Sequence, residues 1–451
     1  MNPGVRQLRI TLQALKGICM QGAARVSNEA ILQEVTRFYL ESRDFNGITA
    51  LNLAQKLGVK WGDLHTQLRE LIEQDLLGVL YSNNDVNTHI LRVGFPPREV
   101  QISGLQADEL YHTCIYPCPA HLTKVVDFSL YKDEPYKLCL ALGEPQLAYR
   151  SFDLSVLEFY RNDPRYLYNN DDINGFISVS SEYDQSDMMP ERDKVLIETF
   201  GFSYDDELNR AVAVYLRYLS DLSSEHQQIW KAKELIGDYQ LHPDYYRNTI
   251  VGDWGEKVPI FSAFINELYI INQMAKAMGR PPLFRQDYGE YGEERPQKFS
   301  FLVRPTLEEF NNFVLLLDKL LSDNINKEFF KNEVPYETEI ERDDGKIQIQ
   351  PKGTLQILDN WVRKYFRTSD WKPWDESIKT LREVRKLRQK PAHALNENLF
   401  DQRYFKEQRE LIIKAYSAIR TLRLLLANHR LVRNADISIP DWLVNGDIWT
   451  V

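Results

Sequence analysis

The stretch Ile378–Phe400, IKTLREVRKLRQKPAHALNENLF, decides how the rest of the chain is read. At about 100° per residue, Ile378, Leu381, Val384, Leu387, Ala392 and Leu395 share one broad arc of a helix, and Arg388 falls in the middle of it. An isolated buried charge is costly, so a guanidinium on an apolar stripe is paired, lines a cleft, or faces a partner chain. On an unbroken helix His393 would lie roughly 140° from Arg388. Pro391 cannot donate the helical hydrogen bond and its ring clashes with the preceding turn. A helix that ends or kinks there can bring the imidazole back beside the guanidinium.

The flanking sequence predicts three more helices. Pro305-Thr306-Leu307-Glu308-Glu309 has the form of a capping box, with Thr306 and Glu309 satisfying each other's backbone donors. It opens a helix with Leu307, Phe310, Phe313, Val314, Leu317, Leu320 and Leu321 inward. ETEIERDDGKIQIQ predicts an acidic hairpin turning at Asp343-Asp344-Gly345. A second helix starts near Thr354 and buries Leu355, Leu358, Trp361, Val362 and Tyr365; the Arg388 helix is third. The fourth, from about Gln402, carries Ile412, Ala415, Ile419, Leu422 and Leu426 at spacings of three and four, which suits a bundle interior or a dimer seam.

The R-x4-H spacing of Arg388 and His393, closing the third helix of an all-helical segment, resembles the R-x4-6-H motif of the HEPN superfamily, many of whose members are metal-independent ribonucleases. The residue after the arginine is commonly Asn, Asp or His in active members and is Gln389 here. The resemblance implies an endoribonuclease that needs no cofactor, with Arg388 and His393 catalytic, leaving 2',3'-cyclic phosphate and 5'-hydroxyl ends. It also implies a homodimer in which two motifs line one cleft, and a regulated toxin or antiviral defence effector. Arg382, Arg385, Lys386 and Lys390 would contact RNA phosphates; Gln389 and Asn396 would support, Asn396 by orienting the imidazole. The alternatives are a catalytically inactive HEPN domain that dimerises or binds RNA or nucleotide, and a DNA-binding regulator led by the N-terminal region.

Charge distribution accords with a polyanion partner. The 451 residues carry a net charge of −10, yet 352–433 contain 19 Lys plus Arg against 9 Asp plus Glu. Such asymmetry between segments suggests that one domain meets a polyanion while the others do not. No apolar run approaches the roughly 20 residues of a membrane span. The basic segment 1–28 has no apolar secretory core. Four cysteines, Cys19, Cys114, Cys118 and Cys139, are too few for a disulfide framework, which fits a reducing cytoplasm.

Near the N-terminus, Ser27 or Asn28 can cap a helix with Ile31, Leu32, Val35, Phe38 and Tyr39 on one face. Two shorter helices meeting at Gly58 follow, then two strands joined by Ser82-Asn83-Asn84-Asp85, a pattern resembling a winged helix-turn-helix domain. Its presumptive recognition helix, Lys60 to Asp75, is net acidic, which favours a regulatory protein partner over DNA; reading through His65, Thr66 and Gln67 is the alternative.

Between 96 and 182, KLCLALG and GFISVSSEY predict strands and LSVLEFY a helix. His112, Cys114, Cys118 and His121 form a group of candidate zinc ligands without the paired C-x2-C spacing. Arg161, Asp163, Arg165, Asp171 and Asp172 read either as a phosphate site or, in the absence of a glycine-rich loop, as a salt-bridged turn. Residues 190–290 read as mainly helical, including ELNRAVAVYLRYLSDL and PIFSAFINELYIINQMAKAM. There is no Walker A, H-E-x-x-H, G-x-S-x-G or kinase pattern. The expected architecture is mainly α, multidomain (α+β): a winged-helix-like domain at 1–95, a mixed α/β domain at 96–185, a helical region at 186–300, a HEPN-like bundle at 301–436 and a tail at 437–451.

Overall fold

The computed structural model describes residues 26–82, 85–105, 110–185, 189–253, 255, 257–289, 295–296, 298–341, 347–389 and 397–450. The fold is mixed, with helix predominating over strand, and no helix among the described residues is long and apolar enough to cross a membrane. The chain divides into two compact units: Met1–Arg150 with Tyr215–Lys231, and Ser151–Val214 with Ala232–Val451. Boundaries at 95, 185 and 300 do not coincide with this division, because strands and helices from either side of each share one core.

The first unit opens with α1 (Asn28–Glu41), capped by the Ser27 hydroxyl, which accepts from Ala30 N. Then come β1 (Ile48–Thr49) and α2 (Ala50–Leu57), which ends on Gly58 at φ +67, a left-handed conformation that glycine adopts without strain. Next are α3 (Trp61–Glu73) and β2 (Leu77–Leu80). Ile31, Val35, Leu53, Leu64, Leu68, Leu71 and Ile72 close a core under these elements. The expected hairpin after β2 does not form. Residues 86–93 contain no strand, and β2 pairs antiparallel with β3 (Cys114–Pro117), giving the order β1-β3-β2. The partner lies beyond α4 (Arg98–Gly104), so local turn chemistry does not reveal it.

Further along, α5 (Pro119–Val125) and α6 (Pro135–Ala141) follow. The second of these overlaps KLCLALG, expected as a strand; Pro135 at the first helical position and the lack of β-branched residues explain the helix. Later, α7 (Leu216–Ser220) and α8 (Ser224–Lys231) return to this unit. Buried Gln227 ties them in, accepting from Tyr136 N and donating to the carbonyls of Ser220 and Leu222.

The second unit contains an antiparallel sheet, with β4 (Tyr149–Phe152) at its edge where the chain passes from one unit to the other. Then come β5 (Tyr166–Asn170), β6 (Asn174–Val179), β7 (Leu196–Tyr204), β8 (Arg210–Tyr215) and β9 (Gln240–Leu241). The order is β4-β8-β7-β6-β5, with β9 paired to the end of β7. The helical expectation for ELNRAVAVYLRYLSDL fails in its first half: RAVAVY is β8, its small and β-branched side chains fitting a buried strand.

The helical layer comprises α9 (Ile260–Ala277), α10 (Leu307–Leu320), α11 (Thr354–Tyr365), α12 (Lys372–Gln389) and α13 (Arg403–Ala427), with β10 (Val258–Pro259) leading into α9. Ile412, Ala415, Ile419, Leu422 and Leu426 of α13 are buried, as their spacing requires. Part of their cover comes from α9, which belongs to the bundle rather than to a separate region: buried Arg423 donates to Glu267 Oε2 at 2.5 Å. Tyr365, expected inside, is exposed. β11 (Glu337–Glu341) and β12 (Ile347–Pro351) form the expected acidic hairpin; its turn residues lie outside the described residues. The last strand, β13 (Ile448–Trp449), pairs parallel with β10, so 437–451 is not a free tail.

Only half of the capping box at α10 forms. Glu309 N donates to Thr306 Oγ1 at 3.2 Å, but Thr306 N is taken by the Arg304 carbonyl. The Glu309 carboxylate instead accepts from Val303 N and Arg304 N.

Candidate functional site

Arg388 stands on the last turn of α12, where a cation complements the helix dipole. Its place among Leu381, Val384 and Leu387 on the inward arc is satisfied by pairing. Nη1 donates to Asp318 Oδ2 at 2.6 Å and to Asp323 Oδ2 at 2.5 Å. Asp318, at the end of α10, is fully buried; Asp323, just beyond it, is 40% exposed, and Arg388 is 33% exposed. Ser322 donates its hydroxyl to the other oxygen of Asp318. The two carboxylates push the guanidinium pKa upward. Both of them use Nη1, and no described residue accepts from Nε or Nη2.

His393, Lys390 and Asn396 lie outside the described residues. The chain re-enters at the other end of α10, where Leu307 N donates to the Leu399 carbonyl at 2.8 Å and Glu308 N to Asn398 Oδ1 at 3.0 Å. Gln389 is exposed. Of the remaining expected phosphate ligands, Arg382 donates to Asp359 Oδ2 at 3.2 Å. Arg385 is half-buried and Lys386 exposed, and neither pairs with a carboxylate among the described residues. Sequence reasoning missed Asp318, Ser322 and Asp323. A signal existed: by helical periodicity Asp318 falls between Val314 and Leu321 on the buried face of α10.

The exposed face of α3 presents Asp63, Thr66, Arg69, Glu70 and Glu73. Arg69 is paired with Glu73, and Gln67, a candidate base-reading residue, is buried and donates to the Val26 carbonyl. His65 packs its ring edge against Trp61. The face therefore keeps the acidic character of its sequence.

The candidate zinc ligands do not converge. Cys114 and Cys118 sit at opposite ends of an extended run, about 13 Å apart by strand geometry. Cys114 Sγ instead lies 3.6 Å from Thr88 Oγ1, and His121 Nε2 lies 3.0 Å from Thr36 Oγ1, while His112 is exposed. Burial pushes the Cys114 thiol up to about 11 and the Cys118 thiol up to about 12. Among the described residues no group of three His, Cys, Asp or Glu side chains is placed to hold a metal ion.

The second polar cluster is largely a salt-bridged turn. Arg165 is bidentate to Asp163, and Asp172, at φ 75 in the β5–β6 turn, accepts from Arg295 at 2.9 Å and Ser300 at 2.6 Å. Arg161 reaches Glu309 at 3.5 Å. Comparisons with protein-family models, with curated proteins and with solved structures find no match to this chain.

Proposed function

We propose that this protein is a metal-independent endoribonuclease with Arg388 and His393 as its reacting pair. The observation that carries the reading is Arg388 itself. It is fixed at the end of α12 through Nη1 alone, leaving the donors on Nε and Nη2 for a phosphate. In the proposed reaction His393 takes the proton from a ribose 2'-hydroxyl, whose oxygen attacks the adjacent phosphorus while the bond to the 5'-oxygen breaks. The guanidinium donates to a non-bridging oxygen as charge develops, the leaving oxygen gains a proton from water, to which His393 returns the proton it took, and the products are a 2',3'-cyclic phosphate and a 5'-hydroxyl. Arg385 and Lys386 hold neighbouring phosphates. Two copies pair their bundles so that both motifs line one groove, and activity is regulated in a cytoplasmic toxin or defence effector.

The two-carboxylate clamp also favours a second reading, in which Arg388 is structural and the bundle is an inactive HEPN domain that dimerises or binds RNA or nucleotide. The helix-strand order α1-β1-α2-α3-β2-α4-β3, with α4 inserted between the paired strands, supports a winged-helix role for the first unit, and the acidic face of α3 favours a protein partner for it over DNA. RNA cleavage in EDTA by the wild type and by His393→Ala, with product ends identified, separates the first two readings. Cyclic phosphate ends from the wild type alone support the nuclease. RNA binding with no cleavage under any inducing condition, unchanged by His393→Ala, supports the inactive domain.

A further inference from the structure

The second unit encloses a cavity of about 370 Å³ among the β7–β8 hairpin, the start of α9, the first turns of α13 and β13. That volume falls within the roughly 300–1,000 Å³ of small-molecule sites. Its walls combine aromatic rings, Tyr204, Phe301, Phe405 and Trp449, with the cations Arg210, Lys406 and Arg409. The guanidinium of Arg210 lies 4.1 Å from the centroid of Phe301, and 5.3 and 5.6 Å from those of Phe202 and Tyr204. Ring contacts of this kind orient the guanidinium without consuming its N–H donors. Arg210 Nη1 is buried, and no described group accepts from it.

Tyr204 is 8% exposed, and its hydroxyl is likewise buried without a partner among the described residues. Natural proteins seldom leave buried polar groups unmet, and here two residues that carry such groups line one cavity. On α13, Lys406 and Arg409 are three residues apart and share a face. Arg409 Nε is held by the Thr450 carbonyl at 2.9 Å, and Lys406 pairs with no described carboxylate. The acids lining the cavity do not cancel this charge, because Asp172 already carries Arg295 and Ser300 and Glu207 is exposed.

We infer that this cavity binds a small phosphorylated aromatic molecule of the purine mononucleotide class. Arg210 and the Tyr204 hydroxyl take the phosphate, Lys406 and Arg409 add to the positive field, and the base lies on the aromatic wall. None of the residues around Arg388 lines the cavity, so the inference stands independently of the ribonuclease reading.

Calorimetric titration of the full chain with adenosine 5'-monophosphate, and with adenosine and inorganic phosphate as its two halves, tests the assignment. The monophosphate is expected to bind at one site per chain, each half at least tenfold more weakly. Arg210→Gln and Lys406→Gln should each weaken the monophosphate at least fivefold, and His393→Ala should leave it unchanged. Lys406 is exposed, so its variant preserves the test if Arg210→Gln does not fold. Absence of binding at millimolar monophosphate would overturn the inference, as would inorganic phosphate binding equally well. So would binding that survives both cavity variants yet is lost in His393→Ala, which would move the nucleotide to the proposed cleavage groove.

Discussion

Arg388→Ala should destabilise the second unit by about 2–4 kcal/mol, because it strands a carboxylate that has no solvent. Asp318 is fully buried, and without the guanidinium its one remaining side-chain partner is the Ser322 hydroxyl. Removing one member of a buried pair costs about 3–5 kcal/mol; the lower figure here reflects an arginine that is 33% exposed. Asp323→Ala should cost less than about 1 kcal/mol, since that carboxylate is 40% exposed and screened. The double variant Arg388→Ala/Asp318→Leu removes both charges and should recover at least about 1.5 kcal/mol over additivity. Urea unfolding followed by tryptophan fluorescence, at low salt and at 0.5 M salt (about a 4 Å screening length), measures all three together with the Asp318→Leu single variant that closes the cycle. The Asp323 contribution should fade with salt and the Asp318 contribution persist. Additive single costs, or Asp323→Ala proving as damaging as Arg388→Ala, would refute the clamp as the reason an arginine stands on this arc. The result also governs the cleavage assay, where loss of activity in Arg388→Ala means little unless the variant is shown to be folded at the assay temperature.

The same clamp bears on activity. Asp323→Asn weakens one of the two holds on Nη1, so if the clamp positions the arginine for the proposed reaction RNA cleavage should fall by up to about fivefold, the equivalent of roughly 1 kcal/mol; an unchanged rate in a folded variant would mean that the Asp323 carboxylate does not position the arginine. His242 provides a pH test. It is 1% exposed, and burial lowers its pKa from 6.5 to about 4. The unfolded chain therefore binds more protons between those values, and stability should fall by about 2–4 kcal/mol as pH drops from 6.5 to 4. His242→Gln should flatten that slope, and equal slopes for both proteins would count against a neutral, buried imidazole. Finally, with the Cys114 thiol at about 11 rather than 9.0, its thiolate is about a hundredfold scarcer. Native protein should react with a disulfide reagent at pH 8 at the buried Cys114 only as slowly as it opens, and at the half-buried Cys118 more slowly than a free thiol because its thiolate is scarce; rapid labelling of Cys114 would place it in a more open environment.

What the sequence made legible was periodic and local. α10, α11 and α13 fall where Phe310, Leu358 and Ile412 with their i+3 and i+4 neighbours place them, and Ser27 and Gly58 mark real helix ends. What it hid was pairing at a distance. The strand beside β2 comes after α4, and the helix that buries the stripe of α13 is α9, with Glu267 and Arg423 156 residues apart. KLCLALG, a short apolar run, fits strand or helix by periodicity alone; Pro135 was the informative residue. The cavity residues Tyr204, Arg210, Lys406 and Trp449 come from three separate segments, the β7–β8 hairpin, α13 and β13, and form no motif.

The charge excess of 352–433 illustrates the difference most directly. Read as a total, it suggests a broad polyanion face. Resolved into partners, part of it is met by acids outside the segment, Arg388 by Asp318 and Asp323 and Arg423 by Glu267, while Arg363 and Arg382 on Asp359 and Arg403 on Asp401 pair with acids already counted in the balance. Arg382, Arg388 and Arg423 each join two helices, α12 to α11, α12 to α10 and α13 to α9, whereas Arg403 pairs locally and is largely exposed. Two groups of cations without a carboxylate partner stand out among the described residues. Arg385 and Lys386 lie beside Arg388 on the last turns of α12, and Lys406 with Arg409 stand at a separate, partly open cavity. A long nucleic acid can reach the first group, whereas the second is sized for a small molecule. A net charge per segment therefore points to a partner class only once its cations are placed in the fold, and here the placement separates the proposed cleavage groove from the proposed small-molecule cavity.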